Sequence, residues 1–301
     1  MPVNMTFHQT TKVWRPLLSG ELFVIHSNII MANKKEHCGL CKIKNDLVES
    51  HLIPKSIYRI IVNESNNLRN PILIKGNNAL PTSKQVKSYF LCSGCEEILN
   101  KYGEDHVLRY TYRNKNNFKF QNILKGLEPE ELIDNAYVFS VNQISEIKMN
   151  HFLHFAAGVF WKASAGKWKF LREPLRNNQL GKKYEEKLRK FLKGDSPFPE
   201  NLVLTMSVSN EESPFPTVIF PDHEKRDGFF QHRFYIPGIE FILWVGNLVP
   251  KGIKNISISH SSGGKIFFES LENSPLINLA KISISRSTSY KHEGVVSHLE
   301  L

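Results

Sequence analysis

Hydrophobic and polar positions change period several times along the chain. Leu47 and Val48 lead as a short strand into Glu49, Ser50 and His51, Pro54 closes a turn, and an apolar pattern continues from Ile57 to Val62. VKSYFLC, residues 86–92, alternates as a strand with Val86, Ser88 and Phe90 on one face. EEILNKYGEDHVLRYTY follows, with Ile98, Leu99, Tyr102 and His106 at roughly helical spacing and Gly103 as its weak point. In ISEIKMNHFLHFAAGVFWKAS, residues 144–164, Ile144, Ile147, Phe152, Phe155, Ala156, Val159 and Phe160 suit the buried stripe of a helix. His151 and His154 are three apart there; zinc-binding helices space their pair at i and i+4 around a glutamate, so these two read as a polar helix face. KKYEEKLRKFLKG, residues 182–194, is a second helix, with Glu185 and Arg189 at i and i+4.

SPFPEN at 196–201 stops that helix, because two prolines cannot continue it. Strand-like runs follow: NLVLTMSVS, PTVIF, HRFYI, EFILWVG, NISIS, KIFFES and AKISIS, separated by Pro, Gly, Asn and Ser clusters. The expected class is α+β, with a helical middle and an antiparallel β-rich C-terminal part. The divisions read as an N-terminal extension over 1–35, a cysteine-bearing module over 36–115, a helical basic segment over 116–195 and a β-rich domain over 196–301. The role of the last is not legible. Met31 offers a natural start that would leave residues 1–30 as an upstream extension.

A chain of 301 residues with 41% hydrophobic and 23% charged positions is long enough to bury a core and too apolar to default to disorder. The apolar run Leu22–Ile30 is interrupted by His26 and Asn28 and falls short of the roughly 20 residues a bilayer span needs. It also lacks the uninterrupted apolar region and cleavage site of a secretory signal. A cytoplasmic protein with no membrane partner is expected. The formal charge of +10 points to a polyanionic partner, nucleic acid being the commonest. Between Lys162 and Lys193, eleven Lys and Arg face three Glu, and Lys182, Lys183, Lys187 and Lys190 are the expected phosphate contacts. A solvated helix face is the alternative, and a protein partner or homo-oligomer stays open.

The four cysteines form two CxxC pairs, Cys38 with Cys41 and Cys92 with Cys95. Each pair lets two thiolates of one tight turn reach a single ion, and two pairs supply a closed tetrahedral zinc site. Disulfides would also use all four, but they are rare in a reducing compartment. A closed site is structural, so any chemistry must come from elsewhere. On a helix beginning near Glu96, Asn100 at i+4 and Glu104 one turn later share a face, while Glu97 points away and suits the positive end of the helix dipole. Carboxylates suit Mg2+ or Mn2+.

The segment from about 36 to 110 resembles the HNH nucleases. The likeness rests on CGLC at Cys38–Cys41, on SHLIPK with His51 followed by Pro54, and on LCSGC directly followed by an acidic helix. LCSGCE and the later FWKAS around Trp161 are also similar to a group of uncharacterised bacterial HNH-like proteins. The resemblance implies a zinc-stabilised, treble-clef-like ββα-metal module and a metal-dependent endonuclease, acting on DNA rather than RNA. In that family the first histidine, here His51, takes a proton from the attacking water while one divalent ion neutralises the phosphate. A buried histidine satisfied by a backbone carbonyl is the alternative for His51. Many HNH sequences place aspartate before that histidine and histidine after the last cysteine; this chain has Ser50 and Glu96 there. The expected catalytic set is therefore His51 and Asn100, with Glu96, Glu104 and His106 holding Mg2+ or Mn2+. The departures also leave a second reading, a non-catalytic zinc-knuckle nucleic-acid-binding or sensor protein with a degenerate nuclease site.

Overall fold

Residues 36–107 build a hairpin that carries the two cysteine pairs, followed by a helix. Short strands β1 (Glu36–His37) and β2 (Lys44–Asn45) flank the first cysteine pair and pair antiparallel. β3 (Leu47–His51) leads through Pro54 into α1 (Lys55–Glu64), then β4 (Ile72–Lys75) and β5 (Asn78–Pro81) form a hairpin, and β6 (Lys87–Cys92) returns antiparallel to β3. α2 (Ser93–Leu99) runs on through a π-helical stretch, Asn100–Glu104, into α3 (Asp105–Val107). The structure, a computed structural model, describes residues 35–64, 72–75, 78–81, 85–170, 173–175, 177, 179–259 and 263–286, all within the compact unit Lys34–Leu301. The apolar run Leu22–Ile30 and the Met31 start lie outside the described residues.

After α4 (Lys119–Lys125), β7 (Glu131–Ile133) and β8 (Ala136–Ser140) precede the long helix α5 (Met149–Ala165), the small pair β9 (Lys169–Phe170) and β10 (Glu173–Pro174), and α6 (Gly181–Lys193). The rest comprises β11 (Leu202–Ser209), β12 (Ile219–Arg226), β13 (Phe229–Ile236), β14 (Ile239–Val245), α7 (Lys251–Asn255), β15 (Lys265–Glu269) and α8 (Pro275–Arg286). A seven-stranded sheet runs in the order β12-β13-β14-β11-β15-β8-β7. Its neighbours are antiparallel except β11 and β15, which are parallel.

Four expectations change here. Residues 131–140 of the helical middle contribute two strands to the C-terminal sheet. NISIS is the end of α7 and a turn, and AKISIS lies in α8. Pro275 opens α8, where its missing N–H costs nothing, and the buried Ile277 and Ala280 follow a helical step rather than strand alternation. β12 extends past Phe220 through the charged DHEKR, as suits an edge strand that must not pair further.

α5 organises the molecule. Apart from Asn150, His151, His154, Lys162 and Ser164 it is apolar, and it is buried along most of its length, which fits a helix with partners on several sides. Phe155 and Phe160 pack on the stacked pair Phe234 and Phe241 of the sheet, whose rings lie 4.8 Å apart. From the same helix, Trp161 meets Phe90 of β6 at 5.3 Å, so one core joins hairpin and sheet. A smaller cluster around Tyr235, Leu271 and Ile277 includes the start of α8.

Candidate functional site

The cysteine centre is assembled by backbone geometry. The turn after Cys38 is closed by the Lys42 N–H donating to the Cys38 carbonyl at 3.0 Å, and Lys42 takes a left-handed φ of 63°. The Gly39 N–H donates to the Phe90 carbonyl at 2.9 Å, and a Cβ at Gly39 would sit 2.5 Å from the Phe90 ring, itself wedged against Trp161 and Trp168. Glycine is therefore required there. Cys92 ends β6 and donates its N–H to Cys38 Sγ at 3.3 Å, while Cys95 lies in the first turn of α2. All four Sγ atoms lie within 4.8 Å of one another, and Cys41 and Cys92 are 4.0 Å apart. Tetrahedral zinc with bonds of about 2.3 Å needs S···S separations of about 3.8 Å. The set fits one structural metal ion such as zinc. Burial holds the Cys41 and Cys95 thiols above their ordinary range, a cost that a coordinated cation reverses.

Beside this centre lies a buried polar cluster. Ser50 is fully buried on β3, and its Oγ donates to Glu96 Oε2 at 3.0 Å. Positions 50 and 96, on a strand and a helix 46 residues apart, are thus neighbours in space. Glu96 is held above the usual carboxylate range by burial, with Lys162 opposing and Glu104 adding to the shift. Glu104 Oε1 accepts from Lys162 Nζ at 3.0 Å, and the same ammonium donates to the His51 carbonyl at 2.9 Å. The Lys162 side chain is 2% exposed and that of Glu104 13%. His51 ends β3, half-buried; burial lowers its pKa against a side-chain hydrogen bond with Gln85, so the ring is neutral at pH 7.

The π-helical stretch explains how Glu96 and Glu104 come to influence the same lysine. Over eight residues an α-helix drifts about 80° at 3.6 residues per turn. An i→i+5 turn advances less per residue and offsets that drift. Gly103 lets this stretch lie against α5, where a Cβ would be 3.0 Å from the Phe155 backbone.

Asn100 lies half-buried at the start of the stretch. His106 is not brought to the carboxylates. Its Nε2 accepts the Lys148 N–H at 3.2 Å, its ring lies 4.7 Å from that of His151, and burial with nearby cations lowers its pKa to about 4. Among the described residues, the four cysteines are the one group of three or more His, Cys, Asp and Glu placed to share an ion. With Glu96 bonded to Ser50, Glu104 to Lys162 and His106 turned elsewhere, the residues do not fit a catalytic Mg2+ or Mn2+.

In α6, Lys182, Lys183 and Lys190 are exposed, whereas Lys187 bonds Asn201 Oδ1 at 3.0 Å. Arg189 pairs with Glu186 rather than Glu185, and its Nη1 donates to the Leu40 carbonyl at 2.7 Å, tying the basic helix to the first knuckle. Glu185 instead accepts from Ser164 at 2.6 Å.

Two participants escaped the sequence reading. Lys162 counted only toward the basic segment, although a lysine inside FAAGVFWKASA, within an apolar stripe, signals a buried charge needing a partner. Arg189 carried no signal for contact with residue 40. No protein-family model matches the chain, and no curated protein or solved structure is significantly similar to it.

Proposed function

We propose that residues 36–110 are an HNH-type module that hydrolyses phosphodiester bonds in nucleic acid, with DNA ahead of RNA as substrate and His51 as general base. The observation that carries this reading is the Ser50–Glu96 contact beside a four-cysteine centre, which joins strand end and helix start as a ββα nuclease core requires. His51, neutral at pH 7, takes the proton of a water whose oxygen bonds phosphorus while the ester oxygen leaves. The exposed lysines of α6, pinned to the knuckle through Arg189, give phosphates a place to bind next to the module. His51→Ala should retain zinc and fold while cutting plasmid nicking by about 10² to 10⁴. Equal nicking by a folded His51→Ala protein rejects the proposal.

A second reading, a non-catalytic zinc-knuckle nucleic-acid-binding or sensor protein, is favoured by one observation: both candidate ligand carboxylates already have protein partners. Plasmid retarded in a gel but not nicked in magnesium, manganese or chelator selects it.

A further inference from the structure

We propose that the Lys162 ammonium is the resident cation of this site, held where a ββα-metal centre would take a divalent ion. The inference rests on reading residues 50–104 as the site and does not require turnover. The ammonium is bound by a main-chain carbonyl, that of His51, and a carboxylate, that of Glu104. These are the hard oxygen donors a magnesium or manganese ion selects. Nζ stands 2.9 and 3.0 Å from them, so a divalent ion bound to the same oxygens at about 2.0–2.1 Å would lie against a like charge that opposes its binding.

Exchange with an ion from solution is also opposed by packing. Leu99, His154, Phe155 and Gly158 line the crevice beside Glu104 and Lys162, and Lys162 is almost wholly buried. Expelling the ammonium would strand a charge in an apolar setting. The lysine comes from α5, outside the knuckle-hairpin-helix module, so the site receives its cation when hairpin and sheet pack on that helix. Removing the ammonium while keeping the oxygens should therefore open a divalent-ion site.

The test uses the full-length, zinc-loaded chain and Mn2+ binding followed by electron paramagnetic resonance. Wild type and Lys162→Arg are expected to bind no manganese at Glu104. Lys162→Gln should gain one manganese per chain, lost again when Glu104→Gln is added. A wild-type manganese site that Glu104→Gln abolishes overturns the proposal, as does a folded Lys162→Gln protein that binds none. Should Lys162→Gln fail to fold, the wild type decides. One equivalent bound and displaced by magnesium overturns the inference, and no binding at millimolar manganese upholds it. Because the readout is binding, absence of nicking would count against the nuclease reading alone.

Discussion

The knuckle module and the seven-stranded sheet share helix α5 but hold together by different means. The sheet side of α5 is aromatic, with Phe152, Phe155 and Phe160 against Phe234 and Phe241, and its stability scales with area and volume. Toward the module, α5 presents Trp161 to Phe90 and Lys162 to Glu104 and His51, beside four thiols. Apolar side chains such as Leu52, Ile53, Ile57 and Leu91 belong to the same core, but the module adds to them a few buried polar contacts and four thiols placed to share a metal ion. The module should therefore fail by loss of single atoms, the sheet by loss of volume.

Loss of a single thiol should separate the two regions most widely. Cys92→Ser should release zinc, whose binding contributes about 10–16 kcal/mol in isolated zinc fingers. Hydrogen exchange should then accelerate over residues 38–52 and 86–99 while 202–208 and 239–245 stay protected. Equal opening of both would mean that α5 transmits unfolding and that the two regions are one cooperative unit. Next is Phe241→Ala, which removes a ring stacked on Phe234 and should cost about 3–5 kcal/mol in denaturant melts with zinc content unchanged.

Acid should weaken both halves. Burial lowers His232, in the sheet, to about 3 and His106, in the module, to about 4. Each folded-state pKa lies below the unfolded value, so the unfolded chain binds more protons and stability falls as pH drops from about 6.5 toward those values. Glu96 and Glu240, raised by burial, oppose this in part, since their protonation favours the fold. His232→Phe should flatten the loss by on the order of 2 kcal/mol at pH about 4.5, read from melts across pH. The smallest effect sharpens the surface. Changing Lys182, Lys183 and Lys190 together to Gln should leave melting unchanged and flatten the salt dependence of DNA binding by about 0.9 in log-log slope per lost contact. Lys187→Gln should instead cost about 0.5–1.5 kcal/mol of stability, because that lysine bonds Asn201.

Much of the module was legible. The strand ending at His51, the strand entering Cys92 and the helix after it stand where their periodicities put them, and Gly103 falls in the π-helical stretch. The C-terminal strands were legible where apolar alternation is strong, in β11, β13, β14 and β15. They were misread where a strictly alternating run lies in a helix, as in AKISIS, or where an edge strand is charged, as in DHEKR. That β7 and β8 join the same sheet could not be read, because strand pairing across more than a hundred residues leaves no local pattern.

The cysteine spacing by itself determined each thiol pair, since two thiols of one turn are brought together by a few backbone torsions, whereas the pairing of β3 with β6 was needed to set the two pairs side by side as a candidate metal centre. His51 at a strand end and the basic character of α6 are local in the same sense. The partners of the acidic helix were decided only by tertiary structure. His51, Glu104 and Lys162 belong to three elements distant in sequence, and whether a carboxylate faces a metal ion, water or an ammonium depends on which side chain packing delivers beside it. Burial then makes that choice binding, because a charge taken out of water must keep the partner it folds against.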